Sequence, residues 1–341
     1  MFLKNLWYFA LPSRAVPPGR MTPKEFLGEP VMFARDLQGQ VFAFRDLCPH
    51  RGVPLSAGKL VEGTVECPYH GWRFKPSGQC HHIPSLVSGQ DLDPGKISVR
   101  TYPVSESNGL IWVYIAEQPG EAPKVPAPAL DLPPGARPRM QEMQLFPCEL
   151  DSAVVGLMDP AHGPFVHKSW WWRSTKSMYE KAKDYAPVER GFTMVAHKPS
   201  RNSTIYHLLG GDLTTEIAFH LPGIRIETIK AGKNQILSLT TCTPVDATKT
   251  EVTQTFFWNI GWLWAIRPFF RPMASAFLAQ DRHMVTLQQE AARFQPRQML
   301  IQDADTPAIW YFRLKKEWAT ALEEGRTFDN PVKPVTLRWR S

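Results

Sequence analysis

The chain has 341 residues, 43% of them hydrophobic, which suits a folded protein of two domains better than one. Its formal charge of +7 is spread along the sequence instead of gathered in Lys/Arg runs, so nucleic-acid binding is not expected, whereas docking of an acidic electron-transfer protein is compatible with it. Five cysteines, Cys48, Cys67, Cys80, Cys148 and Cys242, form an odd, scattered set unlike a disulfide framework and point to a reducing, cytoplasmic setting.

The N-terminal stretch MFLKNLWYFALPSRA has one early Lys, bulky aromatics and no small-residue cleavage site, and reads as a first strand entering the fold rather than a signal peptide. Residues 30–46 alternate apolar and polar around Gln38-Gly39-Gln40, and 97–116 repeat the pattern around Ser-Asn-Gly, so both read as hairpins of an all-β unit. Residues 117–140 carry seven prolines and almost no periodicity. They are the best domain boundary, which gives a first domain over 1–118, a linker over 119–140 and a second domain over 141–341.

Beyond the linker, 204–210, 214–220, 223–230, 235–243 and 251–259 read as strands of an antiparallel sheet, and 274–294 and 306–324 as helices, so the second domain is α+β. The aromatic run TFFWNIGWLWAIRPFF, between Glu251 and Arg267 and just beyond, is too short and polar to span a membrane. It reads as a buried strand and a helix start, with the wall of a substrate channel or a membrane-surface contact as the sharper readings. The chain has no G-x-G-x-x-G fingerprint and no plant-type Cys run, so neither NAD binding nor a second cluster is expected.

The chemistry concentrates in CPHRGVPLSAGKLVEGTVECPYHGW, Cys48 to Trp72. Cys48-x-His50 and Cys67-x-x-His70 are two mixed clips. A Cys2His2 zinc site pairs Cys with Cys and His with His, whereas mixed clips suit a two-iron cluster with both thiolates on one iron and both imidazoles on the other. Pro49, Pro68, Gly52 and Gly71 stiffen the loops and leave backbone N–H groups free for the sulfides.

These residues resemble a Rieske [2Fe-2S] domain. The respiratory members add a Cys to each loop, and here Val53 and Tyr69 stand in those places, so the resemblance is to the oxygenase branch. Past the linker, GLMDPAHGPFVH places Asp159, His162 and His167 as Asp-x-x-His-x-x-x-x-His, and Gly163-Pro164 is expected to break the helix after His162 so that His167 turns back toward it. Two His and a carboxylate make the facial arrangement for non-haem Fe(II), with positions left open for O2 and substrate.

The sequence as a whole is similar to the Rieske non-haem iron oxygenases. That resemblance implies a helix-grip (START-like) catalytic domain with an antiparallel sheet, and a third ligand on a late helix. Asp281 is the candidate, Glu290 the runner-up, and a charge near the helix N-terminus the plain alternative for Asp281. The resemblance also implies a homotrimer in which Asp159 links His162 to His70 of the partner subunit. Gly156 stands where many relatives have Asn. His81 and His82 are expected at the surface, His207 and His220 on sheet strands, His283 pointing away from Asp281, and the SWWWR run at 169–173 in an aromatic belt or trimer contact.

The expected activity is that of a terminal oxygenase, taking electrons from NAD(P)H through a separate reductase, with or without a ferredoxin. It hydroxylates or oxidatively demethylates a hydrophobic, cyclic small molecule. Cis-dihydroxylation is the alternative, and an electron carrier or ligand-binding protein without mononuclear iron is the alternative from another class.

Overall fold

The computed structural model describes residues 2–167, 178–199, 212–297 and 299–341. The Trp-rich run at 169–173, His207 and the expected strand at 204–210 lie outside the described residues. The chain divides into two compact units, Met1–Ala136 and Arg137–Ser341.

In the first unit Leu6–Pro12 is a strand, buried from Leu6 to Ala10 and paired with Leu110–Ile115. Val104–Ser107 joins the same sheet through Asn108-Gly109, whose positive φ angles of 49° and 74° are those a two-residue hairpin turn requires. A second sheet runs Thr22–Phe26, Glu29–Arg35, Val41–Arg45, Thr101–Tyr102, and a third runs Lys59–Val61, Thr64–Glu66, Arg73–Phe74, Cys80–His82. The proline-rich residues up to Ala136 lie with this unit. The Trp7 indole N–H donates to the Val125 carbonyl at 2.9 Å, and the Lys124 N–H donates to the Tyr114 hydroxyl at 3.0 Å.

The second unit is α+β. Among the described residues its sheet has eight strands, all antiparallel, in the order Met140–Phe146, Thr250–Trp258, Asn234–Pro244, Ile224–Ala231, Leu213–His220, Gly191–His197, Glu180–Val188, Val335–Arg340. The described helices are α1 (Leu150–Met158), α2 (Gly163–Val166), α3 (Leu263–Ala292) and α4 (Thr306–Glu323). Helix α3 packs against the edge strand Met140–Phe146. Two bonds hold it there, Gln144 Nε2 to the Ser275 carbonyl at 2.8 Å and Arg271 to Glu142 at 2.6 Å.

Helix α3 begins at Leu263, well before the expected 274, and contains Pro268 and Pro272. Each proline frees the carbonyl four residues back, that of Trp264 or Pro268. Both of those residues are exposed, at the surface where such a loss costs least, and the helix runs through. Helix α1 is tied to α4 by Asp151, which accepts from the Tyr311 hydroxyl at 2.7 Å and pairs with Lys315.

Candidate functional site

The two Cys/His loops share one backbone plan. In the first, the Cys48 N–H donates to the Val53 carbonyl at 2.9 Å and the Gly52 N–H to the Cys48 carbonyl at 2.8 Å. In the second, the Cys67 N–H donates to the Trp72 carbonyl at 2.8 Å and the Gly71 N–H to the Cys67 carbonyl at 3.1 Å. Each loop closes only because its fifth residue is left-handed, with φ of 71° at Gly52 and 69° at Gly71, a conformation that glycine adopts without steric cost. One loop follows the strand Val41–Arg45, and the other joins Thr64–Glu66 to Arg73–Phe74.

The loops bring their side chains together in two layers. Cys48 and Cys67 are buried among Phe44, Leu55, Val65 and Phe74, with the two thiols close to each other. Burial, first of all, pushes the Cys48 thiol up, opposed by N–H groups of His50 and Arg51 that point at its sulfur. The imidazoles lie nearer solvent, with ring centroids of His50 and His70 4.5 Å apart and the His50 ring stacked on Trp72 at 4.6 Å. Inner thiols, outer imidazoles and backbone N–H groups aimed at sulfur fit a two-iron cluster with one Cys pair and one His pair.

In the second unit the chain breaks earlier than expected. Helix α1 ends at Met158, and Asp159 is extended. Gly163-Pro164 then opens the turn α2 instead of breaking a helix, because proline in a first turn forfeits no intrahelical bond. His162 flanks this turn on one side and His167 on the other, and one turn brings both rings to the same point.

There the Nε2 atoms of His162 and His167 lie 3.1 Å apart, and Asp281 Oδ1 lies 3.6 Å and 3.2 Å from them. The His162 Nδ1–H donates to the Asp159 carbonyl at 2.8 Å. A carbonyl only accepts, so the His162 proton is on Nδ1 and its Nε2 presents a lone pair. His167 Nδ1 lies 3.0 Å from Gln280 Oε1, which leaves its Nε2 likewise bare. Two lone pairs and a carboxylate at such distances repel unless a cation lies among them. The triangle suits one ion at about 2 Å from each atom. Asp281 stands deep inside α3, not at its N-terminus. Glu290 and His283 are exposed and do not converge on it.

Burial pushes the Asp281 carboxyl up, to about 6, against the pull of His162 and Arg225. A carboxylate that burial disfavours on its own gains most from a neighbouring cation. At Asp159 burial again acts upward, but the adjacent His162 and the Ala161 N–H, at 2.7 Å, outweigh it and hold this carboxyl below the usual range. His162 moves the opposite way, above its ordinary value, because Asp159 outweighs its desolvation. The other Asp159 oxygen stands 3.6 Å from His162 Nδ1, an electrostatic rather than a hydrogen-bonded approach.

His162, His167, Asp281 and Asp159 open onto one cavity of about 410 Å³, walled by the sheet and by α3. Strand alternation supplies its floor, for example Ile217 and Phe219, while Phe270, Met273 and Phe277 come from successive turns of α3. From the aromatic run, Phe256, Trp258 and Trp262 line the cavity, whereas Trp264 and Phe269 are exposed away from it. His220 faces away from the cavity, and His81 and His82 are exposed. Three residues had no signal in the sequence: Gln280 and Phe277, which touch His167, and His197, which lines the cavity. His197 sits past a β-bulge that reverses which residues face inward.

Residues 6–103 match the Rieske [2Fe-2S] domain family, and residues 148–321, more than half of the 341, match the Vanillate O-demethylase oxygenase C-terminal domain family. The chain is 37% identical over 188 residues to the oxygenase component of dicamba O-demethylase from Stenotrophomonas maltophilia, covering 49% of this chain and 48% of that one. It is 39% identical over 173 residues to chlorophyllide a oxygenase of Chlamydomonas reinhardtii, covering 49% of this chain and 25% of that one. It thus spans a quarter to about half the length of these relatives. The fold is similar to that of dicamba monooxygenase bound to dicamba, with a TM-score of 0.70 at 23% identity over 95% of this chain and 99% of that one. It is also similar to the QL mutant of NdmA of Pseudomonas putida CBB5 with caffeine, with a TM-score of 0.71 at 17% identity over 97% of this chain and 96% of that one.

Proposed function

The chain belongs to the family of the Vanillate O-demethylase oxygenase C-terminal domain, carried behind a Rieske [2Fe-2S] domain, and from that premise we propose that it is a terminal oxygenase. Cys48, Cys67, His50 and His70 hold a [2Fe-2S] cluster, and His162, His167 and Asp281 hold a mononuclear Fe(II). When bound, these groups supply single-electron transfer and the activation of O2. The observation that carries the reading is the His162/His167/Asp281 triangle opening onto a cavity of about 410 Å³. An electron carrier has no need of such a cavity beside a metal centre.

The chain's own residues do the rest. Apolar walls from the sheet and α3 desolvate a lipophilic, cyclic substrate and hold one carbon toward the open face of the triangle. The Asp159 main-chain carbonyl orients the His162 imidazole, and the Asp159 carboxylate, ionised beside that ring, reaches His70 of the partner subunit in a homotrimer. Two electrons from NAD(P)H arrive through a separate reductase, with or without a ferredoxin. One oxygen atom enters a C–H bond and the other leaves as water. Where that C–H belongs to an O- or N-methyl group, the hydroxymethyl product releases formaldehyde. The relatives' names, an O-demethylase and a monooxygenase among them, support this ahead of cis-dihydroxylation.

Work is divided between a domain over 1–118 and one over 141–341, joined by 119–140. Besides the two proposed cluster ligands, Cys80, Cys148 and Cys242, scattered and buried, support a reducing, cytoplasmic setting. No helix among the described residues is long and apolar enough to cross a membrane.

Iron content tests the reading, with about three per chain expected and about two for a carrier. A screen of lipophilic aromatics with a surrogate reductase, read by coupled oxygen uptake and product mass, then separates the reaction classes. A gain of one oxygen or loss of a methyl group supports the reading, and a gain of two oxygens replaces it with dihydroxylation.

A further inference from the structure

We propose that Gln280 is the positioning residue that makes His167 a metal ligand, by fixing its proton on Nδ1, and that Phe277 holds the ring plane in which it does so. The inference rests on the reading of His162, His167 and Asp281 as a metal centre, and it extends that reading to two side chains outside the ligand set.

His167 is buried, with 2% of its surface exposed. Its ring has two nitrogens, and only the one without the proton can bind a cation. For His162 the choice is made by a main-chain carbonyl, that of Asp159, and no side-chain substitution removes it. For His167 the facing group is the Gln280 side-chain oxygen, at 3.0 Å from Nδ1. With that oxygen accepting, Nδ1 carries the proton and the Nε2 lone pair points at Asp281 Oδ1, 3.2 Å away. The reverse amide orientation would put the proton on Nε2, between His167 and the two other ligand atoms, and close the site.

The ring is also clamped through its face. Phe277 stacks on His167 with centroids 3.6 Å apart and planes 14° from parallel. Phe277, Gln280 and Asp281 are spaced at three and four residues on helix α3, so they occupy one face of it. A single helix face thus supplies the stack, the Nδ1 acceptor and the third ligand around one imidazole. Because α3 is pinned to the edge strand by Gln144 and Arg271, that face is held rigidly against His167.

The test uses the full chain with its cluster intact, stripped of mononuclear metal by mild chelation and titrated with Co(II) against a competing indicator. Gln280→Met keeps the length and helix preference of the side chain but offers only a weakly accepting thioether in place of the amide oxygen; its Co(II) affinity is expected to fall by about 10- to 100-fold. Gln280→Glu keeps an acceptor at the same reach and is expected to hold the metal at least as tightly as wild type. Phe277→Leu is expected to weaken binding by about tenfold or less. Melting temperatures without Co(II) should match wild type, a result that separates ligand orientation from folding.

Wild-type affinity in Gln280→Met, or an equal loss in Gln280→Glu and Gln280→Met, overturns the inference while leaving the metal centre in place. If Gln280→Met melts early, the comparison of Gln280→Glu with wild type decides: weaker binding overturns the inference, and equal or tighter binding supports it. Failure of the wild-type chain to bind Co(II) at all overturns the metal centre itself.

Discussion

The four Cys/His side chains of the first unit come from two short loops close in sequence, each closed by its own backbone bonds, whereas the triangle of the second unit joins α2 to the middle of α3, with most of a sheet between them in the chain. The first site is local: its geometry depends on two left-handed glycines and a few hydrogen bonds inside each loop. The second is tertiary, because Asp281 meets His167 only if α3 lies in the right register on the edge strand. A local site tolerates change elsewhere in the fold, and a tertiary site reports it.

The largest expected effect separates the two outright. Asp281→Ala should lose the mononuclear iron and at least a hundredfold of turnover while keeping the cluster absorbance, so iron falls from about three to about two per chain. Cys67→Ser should do the reverse, losing the visible absorbance while the second unit still takes up Co(II). Iron and activity retained in Asp281→Ala would break the assignment of the triangle.

Asp159→Asn tests the proposed link between the sites. Both should stay loaded while turnover drops by roughly a hundredfold, since the amide keeps the shape but not the charge on which the proposed link to His70 of the partner subunit depends. Near-normal turnover would remove Asp159 from the electron path.

Smaller effects grade the local site. Gly71→Ala and Gly52→Ala should each cost about 1–2 kcal/mol, because an L side chain resists positive φ. Gly71→Ala should cost more, since its new Cβ would meet Pro84 Cγ at 3.0 Å while Gly52 has open space. Urea unfolding followed at the cluster absorbance measures both, and equal losses would show that Pro84 gives way.

The smallest effect concerns α1. Gly156→Ala should stabilise the second unit by about 0.5–1 kcal/mol, as its Cβ would touch only Val285 at 3.9 Å. Calorimetry of the second transition is the measurement; a lower melting temperature would mean that α1 needs its glycine for a reason other than space.

Legibility followed the same division. The clips are legible because their cysteines, histidines, prolines and glycines are near neighbours, and the hairpins because turn residues sit between alternating runs. His162 and His167 stand out by their spacing, although Gly163-Pro164, which the sequence suggests as a helix break, is a helix start. His197 escaped notice for a physical reason. Phe192 and Met194 face the cavity by alternation, and a bulge after Met194 turns the odd-numbered His197 inward. The start of α3 was misplaced because its two prolines are tolerated at the surface.

By itself, the sequence determined the all-β first unit, the α+β second unit, the Cys/His clips and the His162–His167 pair, since each rests on periodicity or on contacts within a few residues. Tertiary structure put Asp281, the candidate that the resemblance implied, and not Glu290 in the triangle, and it alone decided that Gln280 and Phe277 touch His167 and which aromatics face the cavity. Those choices depend on helix register and strand parity, which arise when distant segments pack and leave no mark in local spacing.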